Sequence, residues 1–149
     1  MKQTVGRFFK VVKNAPFVVT LPKRSTTGSA GYDFFAPYRF VVEPKETLIV
    51  KTWVKAHVPK GEFLKIVGRS SFGVKRHLDV ACSGIIDSDY FGNVKNDGNI
   101  EVAFYNRGTE PQHIEAGDRI CQGIFIPYML TDDDEATGDR VGGVGSTGK

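Results

Sequence analysis

The chain lacks the features that define several large classes of protein. Among its 149 residues there are only 2 cysteines, Cys82 and Cys121, and no Cys/His cluster, so neither a zinc site nor a disulfide framework is indicated. No apolar run approaches the length needed to cross a bilayer. The net charge of +3 is dispersed and forms no basic stripe, which excludes a typical duplex-binding protein but leaves a small anionic ligand open.

The remaining bulk properties predict an ordinary globular domain. Hydrophobic residues make up 40% of the chain and charged residues 25%, which is enough apolar content for one buried core. Free thiols suit a reducing compartment, and the N-terminus shows no signal-peptide pattern. We therefore expect a cytoplasmic protein with neither a membrane nor a nucleic-acid partner.

The apolar pattern predicts an all-β protein. Short runs rich in β-branched and aromatic residues recur at intervals of about ten residues, with Gly, Pro, Asn or Asp between them. These runs occupy residues 41–42, 48–50, 53–54, 63–67, 100–105 and 120–126. No segment carries a sustained helical stripe, although a short turn of helix fits residues 71–76. The spacing favours a jelly-roll-like β-sandwich or barrel.

The composition changes after Leu130, which divides the chain into a β domain (residues 1–130) and a C-terminal tail (residues 131–149). The tail holds an acidic run and then a glycine-rich end, with almost nothing apolar, so we expect it to be mobile on its own. Consecutive glycines and hydroxyl residues offer backbone N–H groups to phosphate, and Arg140 adds a bidentate fork. Such a tail is suited to act as a lid over an anionic ligand.

The most informative run is residues 84–92, Gly-Ile-Ile-Asp-Ser-Asp-Tyr-Phe-Gly. Glycines at both ends allow tight turns, and Ile85 and Ile86 predict a strand that delivers Asp87 to the end of a sheet. An acid-rich hairpin turn would explain the same residues without any function. However, Tyr90 places a flat ring near the carboxylate, which would hold a sugar and a water in one pocket.

Other motifs surround this run in the sequence. Asp33 enters a strand after a small-residue turn, and Arg69 stands between a glycine and two hydroxyl residues at the end of a strand. The arginine arrangement suits phosphate oxygens, although a surface ion pair is an equal alternative for the motif taken alone. Gln122 lies inside an apolar run that begins after Gly117, and a buried amide there would need partners.

Taken together and in this order, the motifs resemble those of the trimeric dUTP nucleotidohydrolase (dUTPase) family. The matching elements are Ala-Gly-x-Asp at residues 30–33, Arg-Ser at residues 69–70, Gly-x-Ile-Asp-x-Asp-Tyr at residues 84–90, Gly-x-Arg-Ile-x-Gln at residues 117–122, and Arg followed by a glycine-rich Ser-Thr-Gly end at residues 140–148. The resemblance covers most of the chain, and the colinear order makes it specific.

The resemblance implies a homotrimer of jelly-roll protomers that hydrolyses dUTP to dUMP and pyrophosphate with Mg²⁺. Asp87 would activate the water that attacks the α-phosphorus, Tyr90 would pack on the deoxyribose, and the backbone from Ala81 to Gly84 would read uracil. Asp33 would support the metal site. The phosphate contacts and the closing lid would come from Arg69, Ser70, Ser71, Gln122, Arg140, Val144, Gly145, Ser146 and Thr147.

The chain departs from the family pattern at several positions. Ser71 stands where the family has glycine, and Gly68 replaces the usual proline. The segment 94–101 is longer than the common form, so it is open which backbone groups of this arm meet the base. Val144 occupies the lid position of a phenylalanine that covers the base, and a valine keeps only part of the stacking energy.

Other functions compete with dUTP hydrolysis. A dCTP deaminase shares the Arg-Ser-Ser element, but it needs a glutamate where this chain has Ala103. A nucleotide-sensing or protein-binding regulator would keep the fold and explain both the longer segment 94–101 and Val144. A capsid-like jelly roll would explain none of the charged motifs.

Overall fold

The protein is built almost entirely from short β-strands, as the apolar spacing predicts. The computed structural model describes residues 6–81 and 84–143. The strands are β1 Phe8–Val11, β2 Tyr32–Phe35, β3 Phe40–Val42, β4 Thr47–Lys51, β5 Val54–His57, β6 Glu62–Gly68, β7 Leu78–Val80, β8 Ile85–Ile86, β9 Glu101–Asn106, β10 Gln112–Ile114 and β11 Arg119–Pro127. Within residues 6–81 and 84–143 there is one helix, α1, which spans Ser70–Lys75 where the sequence allows a short turn. No helix among the described residues is long and apolar enough to cross a membrane.

The strands pair antiparallel in several small sheets. The largest has the order β2-β11-β6-β8, and the next has the order β4-β9-β7. Two further pairs join β1 to β5 and β3 to β10. Neighbours in these sheets come from distant parts of the chain, as in a jelly roll rather than in a series of hairpins. The all-β, jelly-roll-like fold that the sequence predicts is confirmed.

The core lies between the sheets because inward and outward residues alternate along the strands. In β9, Val102, Phe104 and Asn106 point inward, and their neighbours in the sequence are partly exposed. Asn106 is fully buried, but its amide donates to the carbonyl oxygens of Val42 (2.9 Å) and Glu110 (2.8 Å). Its side-chain oxygen accepts from the Gly108 N–H at 2.9 Å. The buried polar group is therefore satisfied and stabilises the β3, β9 and β10 region.

The largest sheet determines where the predicted site residues lie. Asp33 in β2 pairs with Gln122 in β11, and Gln122 pairs on its other side with Val67 in β6. Arg69 follows the last residue of β6, at the start of α1. Asp87 follows β8 on the opposite edge of the sheet. The last strand ends at Pro127, and the predicted domain boundary at residue 130 stays a prediction.

Candidate functional site

Asp33 organises a cluster of polar side chains at one end of the largest sheet. Its carboxylate accepts a hydrogen bond from the Ser25 hydroxyl at 2.8 Å. It also lies 3.6 Å from the guanidinium groups of both Arg69 and Arg119. The side chain of Asp33 is only 11% exposed, so its charge is weakly screened by solvent and orients both arginines. Ser25 was missed in the sequence because the contact is made only by the fold.

A cavity of about 310 Å³ opens beside this cluster. Its wall includes Arg69, Ser70 and Gln122, which the sequence predicts as phosphate-binding residues, together with Gly31. A Cβ atom on Gly31 would lie 2.2 Å from Oε1 of Gln122, so glycine is needed there for the amide to stay in place. Ser70 and Ser71 open α1, where the first backbone N–H groups of a helix lack partners within the helix. The Arg69 guanidinium, the Ser70 hydroxyl and the Gln122 side chain thus border one space, and the Gln122 amide nitrogen donates to the Gly68 carbonyl oxygen at 3.4 Å.

Asp87 belongs to a second group of residues, at the end of β8. Its carboxylate is 50% exposed, and one oxygen accepts from Nη2 of Arg140 at 2.6 Å. Asp89 is 56% exposed and accepts from Nε of the same guanidinium at 2.7 Å. Arg140 itself is only 12% exposed. The C-terminal tail therefore reaches back across the chain and bonds to both acids of the Asp-x-Asp motif.

Tyr90 is buried beside these acids and is held at its hydroxyl. The phenol donates to the carbonyl oxygen of Asn99 at 2.5 Å and accepts from Nδ2 of Asn96 at 2.8 Å. Arg140 lies over the ring at 5.9 Å from its centre. Burial raises the pKa of the Tyr90 phenol, and the hydrogen bond from Asn96 opposes that rise. The ring is therefore a neutral, fixed surface next to Asp87.

The residues that hold Tyr90 lie in the 93–99 loop, which sequence reasoning identified only as a longer segment. Lys55 is almost fully buried and forms a salt bridge with Asp97 at 2.9 Å. Asp97 also accepts from the backbone N–H of Lys13 at 2.9 Å. Burial would raise the pKa of Asp97, but these hydrogen bonds outweigh it and hold the pKa below its ordinary value. The salt bridge between Asp97 and Lys55 thus anchors the loop to β5.

The two groups are far apart within one chain. Ile86 pairs with Leu64, so Asp87 continues the register beside Phe63, whereas Arg69 follows the other end of β6. At about 3.3 Å per residue, these positions along β6 are about 20 Å apart. The Arg69 side chain also points away from β8, since it contacts Asp33 on β2. One chain therefore does not bring Asp87 and Arg69 to the same ligand atom.

Comparison with known proteins shows the relationship of this chain. The family model dUTPase matches residues 18–148. The chain belongs to the dUTPase family. It is 40% identical to the deoxyuridine 5'-triphosphate nucleotidohydrolase of Lactococcus lactis subsp. lactis over 95% of this chain and 97% of that protein. It is 38% identical to the mouse enzyme of the same name, with 96% and 85% covered. The crystal structure of the dUTPase from Streptococcus mutans superposes with a TM-score of 0.76 at 36% identity, covering 83% of this chain and 98% of that one.

The resemblance to the dUTPase family also predicts that backbone groups from Ala81 to Gly84 read uracil and that the end of the tail closes as a lid. The N–H of Ala81 donates to the carbonyl oxygen of Ala103 at 2.7 Å, and the carbonyl of Gly84 accepts from Ile66 at 2.8 Å. Both groups serve the sheets, so a base would have to use other backbone groups of this turn. The predicted lid residues Val144, Gly145, Ser146 and Thr147 lie outside the described residues. Their roles stay predictions.

A metal site built from this dUTPase chain alone is not apparent in residues 6–81 and 84–143. That part of the chain has no group of three or more His, Cys, Asp or Glu side chains that could hold a metal ion. Asp33, the predicted supporting acid, faces two guanidinium groups, which would repel a divalent cation. Its contacts favour holding Arg69 and Arg119, and its metal role stays a prediction. The donors present fit Mg²⁺ only as an ion carried mainly by phosphates and water, which is its usual preference.

Proposed function

We propose that this chain hydrolyses dUTP to dUMP and pyrophosphate, which would limit uracil incorporation into DNA and supply dUMP. The observation that carries the proposal is the end of β8, where the half-exposed Asp87 carboxylate follows the strand and the fixed Tyr90 ring lies three residues on. Relatives that share most of this chain are named for the same reaction. A cytoplasmic location is proposed with it.

The proposed enzyme is a homotrimer in which neighbouring chains complete each site. Support comes from the separation of about 20 Å along β6 between Asp87 and the Arg69 cavity. Catalysis by positioning requires the base and the phosphate-binding groups around one substrate. Assembly of copies of this chain would place the Asp87 end of one sheet against the Arg69 end of another.

In the proposed mechanism Asp87 orients and deprotonates the attacking water. A general base must lie within hydrogen-bond reach of that water, about 3 Å, and a half-exposed carboxylate can accept such a bond. The Tyr90 ring would lie against the deoxyribose and leave no space for a 2′-hydroxyl. Water then attacks the α-phosphorus in line with the leaving pyrophosphate.

The phosphates would be bound by the cavity residues Arg69, Ser70 and Gln122 and by Arg140 from the tail. Cleavage of a phosphate ester asks the protein mainly for positioning and charge neutralisation, which these donors supply. Mg²⁺ bound by the phosphates would neutralise further negative charge. Because Arg140 is paired with Asp87 and Asp89 in this structure, it would exchange these carboxylates for phosphate oxygens when the substrate binds.

Deamination of dCTP is the nearest competing activity. The side chain at the position of the deaminase acid–base group is Ala103, which has no proton to exchange. The carbonyl of Ala103 is moreover used by the Ala81 N–H within the sheet. A regulatory protein partner remains compatible with catalysis, and the exposed Val94 in the 93–99 loop is one contact point that it could use.

The test is release of pyrophosphate from dUTP, dTTP, dCTP and UTP with Mg²⁺, with ammonia release from dCTP followed in parallel. We expect rapid pyrophosphate release from dUTP, little from the other nucleotides, and no ammonia. Removing Mg²⁺ with a chelator should lower the rate, because the phosphate charge is then less neutralised. Ammonia from dCTP without pyrophosphate from dUTP would contradict the proposal.

A further inference from the structure

The hydroxyl of Tyr90 is held from two sides by the 93–99 loop. It donates to the Asn99 carbonyl and accepts from the Asn96 amide, so both its proton and a lone pair are used. The phenol oxygen lies on the axis about which the ring turns, so holding this oxygen fixes the direction of that axis. Because a phenolic O–H lies in the plane of its ring, the directions of the two hydrogen bonds also favour one orientation of the ring about the axis. The loop therefore determines where the face of the ring lies relative to Asp87.

The orientation of the Asn96 amide follows from its other contacts. Its oxygen accepts from the Gly98 N–H at 3.0 Å and from the Asn93 amide at 2.7 Å. With the oxygen occupied by donors, the nitrogen must face Tyr90 as a donor. Asn93 in turn donates to the Tyr90 carbonyl oxygen at 2.8 Å, which ties the loop to the backbone of the same residue.

The loop that carries Asn96 is itself fixed to the body of the protein. The Asn99 side chain accepts from the Trp53 N–H at 2.9 Å, and Asp97 forms the salt bridge with Lys55. The Asp97 carboxylate also accepts from the backbone N–H of Lys13, so the loop is bonded to three residues outside it. Asn96 is therefore a donor on a loop that is anchored on both sides of it.

We propose that Asn96 is a positioning residue that sets the Tyr90 ring for discrimination between deoxyribose and ribose. The inference rests on the proposed function, since Tyr90 would meet the sugar and Asn96 would not. Steric rejection of a 2′-hydroxyl needs the ring held closely, because a shift of about 1 Å removes the clash. The longer segment of this chain thus supplies specificity through a hydrogen bond to the tyrosine.

The experiment is a double-mutant cycle of Asn96→Ala and Tyr90→Phe, read as the dUTP/UTP ratio of kcat/KM. Asn96→Ala should lower the dUTP/UTP ratio of kcat/KM about two- to tenfold, which is the range for losing one neutral hydrogen bond. In the Tyr90→Phe background the same change should have almost no further effect, because the hydroxyl through which Asn96 acts is absent. Val94→Ala, which alters an exposed side chain of the same loop, is the control and should leave the dUTP/UTP ratio of kcat/KM unchanged.

An unchanged ratio in Asn96→Ala, or an equal loss of discrimination with and without the Tyr90 hydroxyl, would overturn the positioning role. Asn96→Ser keeps a side-chain oxygen that can accept from the Gly98 N–H but is too short to reach the Tyr90 hydroxyl, so it serves if the alanine variant folds poorly. It should lower the dUTP/UTP ratio of kcat/KM to a similar degree, and wild-type discrimination in this variant would also count against the proposal.

A second measurement does not depend on turnover. Ultraviolet titration should show that Asn96→Ala raises the pKa of the Tyr90 phenol, with Tyr90→Phe identifying the transition, because the lost hydrogen bond stabilises the ionised form. An unchanged titration would refute the hydrogen bond itself. If wild-type protein hydrolyses no dUTP but the titration shifts as expected, the proposed function fails while the positioning of the ring stands.

Discussion

Asp87→Asn should abolish most activity while Asp89→Asn should not, and the structure makes the two changes a matched pair. Both carboxylates are about half exposed, and both accept from the guanidinium of Arg140, at 2.6 Å and 2.7 Å. Either substitution therefore removes one charged partner of the tail and leaves the other. The proposed chemistry separates them, since only Asp87 is assigned to the water.

The loss of a tail contact and the loss of the general base should lower the rate by factors that differ by orders of magnitude. The two pairs are alike in distance and exposure, and the largely buried guanidinium of Arg140 keeps one acid in either variant. Both variants should therefore lose a similar stability, on the order of 1 kcal/mol, and weaken tail binding by a similar factor of about five. Loss of a general base costs about 10²–10⁴ in rate. Asp87→Asn should therefore lower kcat by at least about 100-fold, and Asp89→Asn by less than tenfold.

The assay is steady-state pyrophosphate release with saturating dUTP and Mg²⁺, together with melting temperatures of both variants. Melting temperatures within a few degrees of wild type would show that the fold is kept. A kcat for Asp87→Asn within tenfold of that for Asp89→Asn would refute the assignment of the base, because the tail contact alone would then explain both losses.

Two other outcomes follow from contacts outside the pair of acids. Gly142→Ala should raise the KM for dUTP several-fold in steady-state kinetics, since its Cβ would lie 2.4 Å from Cδ and 3.2 Å from Cβ of Lys95, and the lysine Cβ cannot turn away from the tail. Gly138→Ala, with nothing within 4 Å, is the control, and equal effects would contradict the packing of the tail against Lys95. The lowered pKa of Asp97 means that its charged form stabilises the fold above its unfolded pKa, so stability should fall as acid protonates it, from about pH 4 downward. As the pH is lowered, the melting temperature of Asp97→Asn should fall less than that of the wild-type protein. An equal fall would refute the stabilising contribution of the Asp97 charge.

Local sequence patterns were sufficient to predict many of the β-strands. The run 63–67 became β6, and the isoleucines before Asp87 became β8, because β-branched and aromatic residues pack well on a half-buried pleated surface. The strand Gln112–Ile114 was not predicted. It has a single strongly apolar residue, and its pairing with β3 comes from the fold rather than from periodicity.

The candidate site was less accessible to such patterns. Asp87 and Arg69 could be found because each stands at the end of a strand with a distinctive neighbour. The pairing of Arg140 with Asp87, 53 residues apart in the sequence, could not, since no local signal specifies a contact over that distance. The asparagines of the 93–99 loop have the composition of an ordinary polar turn, and their network shows only in three dimensions.

The distance between the Asp87 and Arg69 ends of β6 has a genetic consequence. If each site takes its base from one copy and its phosphate grip from another, two inactive variants can rescue each other. Chains carrying Asp87→Asn and chains carrying Arg69→Ala, mixed during refolding, would form some sites with both intact halves. In a cell that expresses both variant chains, the two defective alleles would therefore complement each other. The remaining activity would depend on the ratio in which the two chains are made.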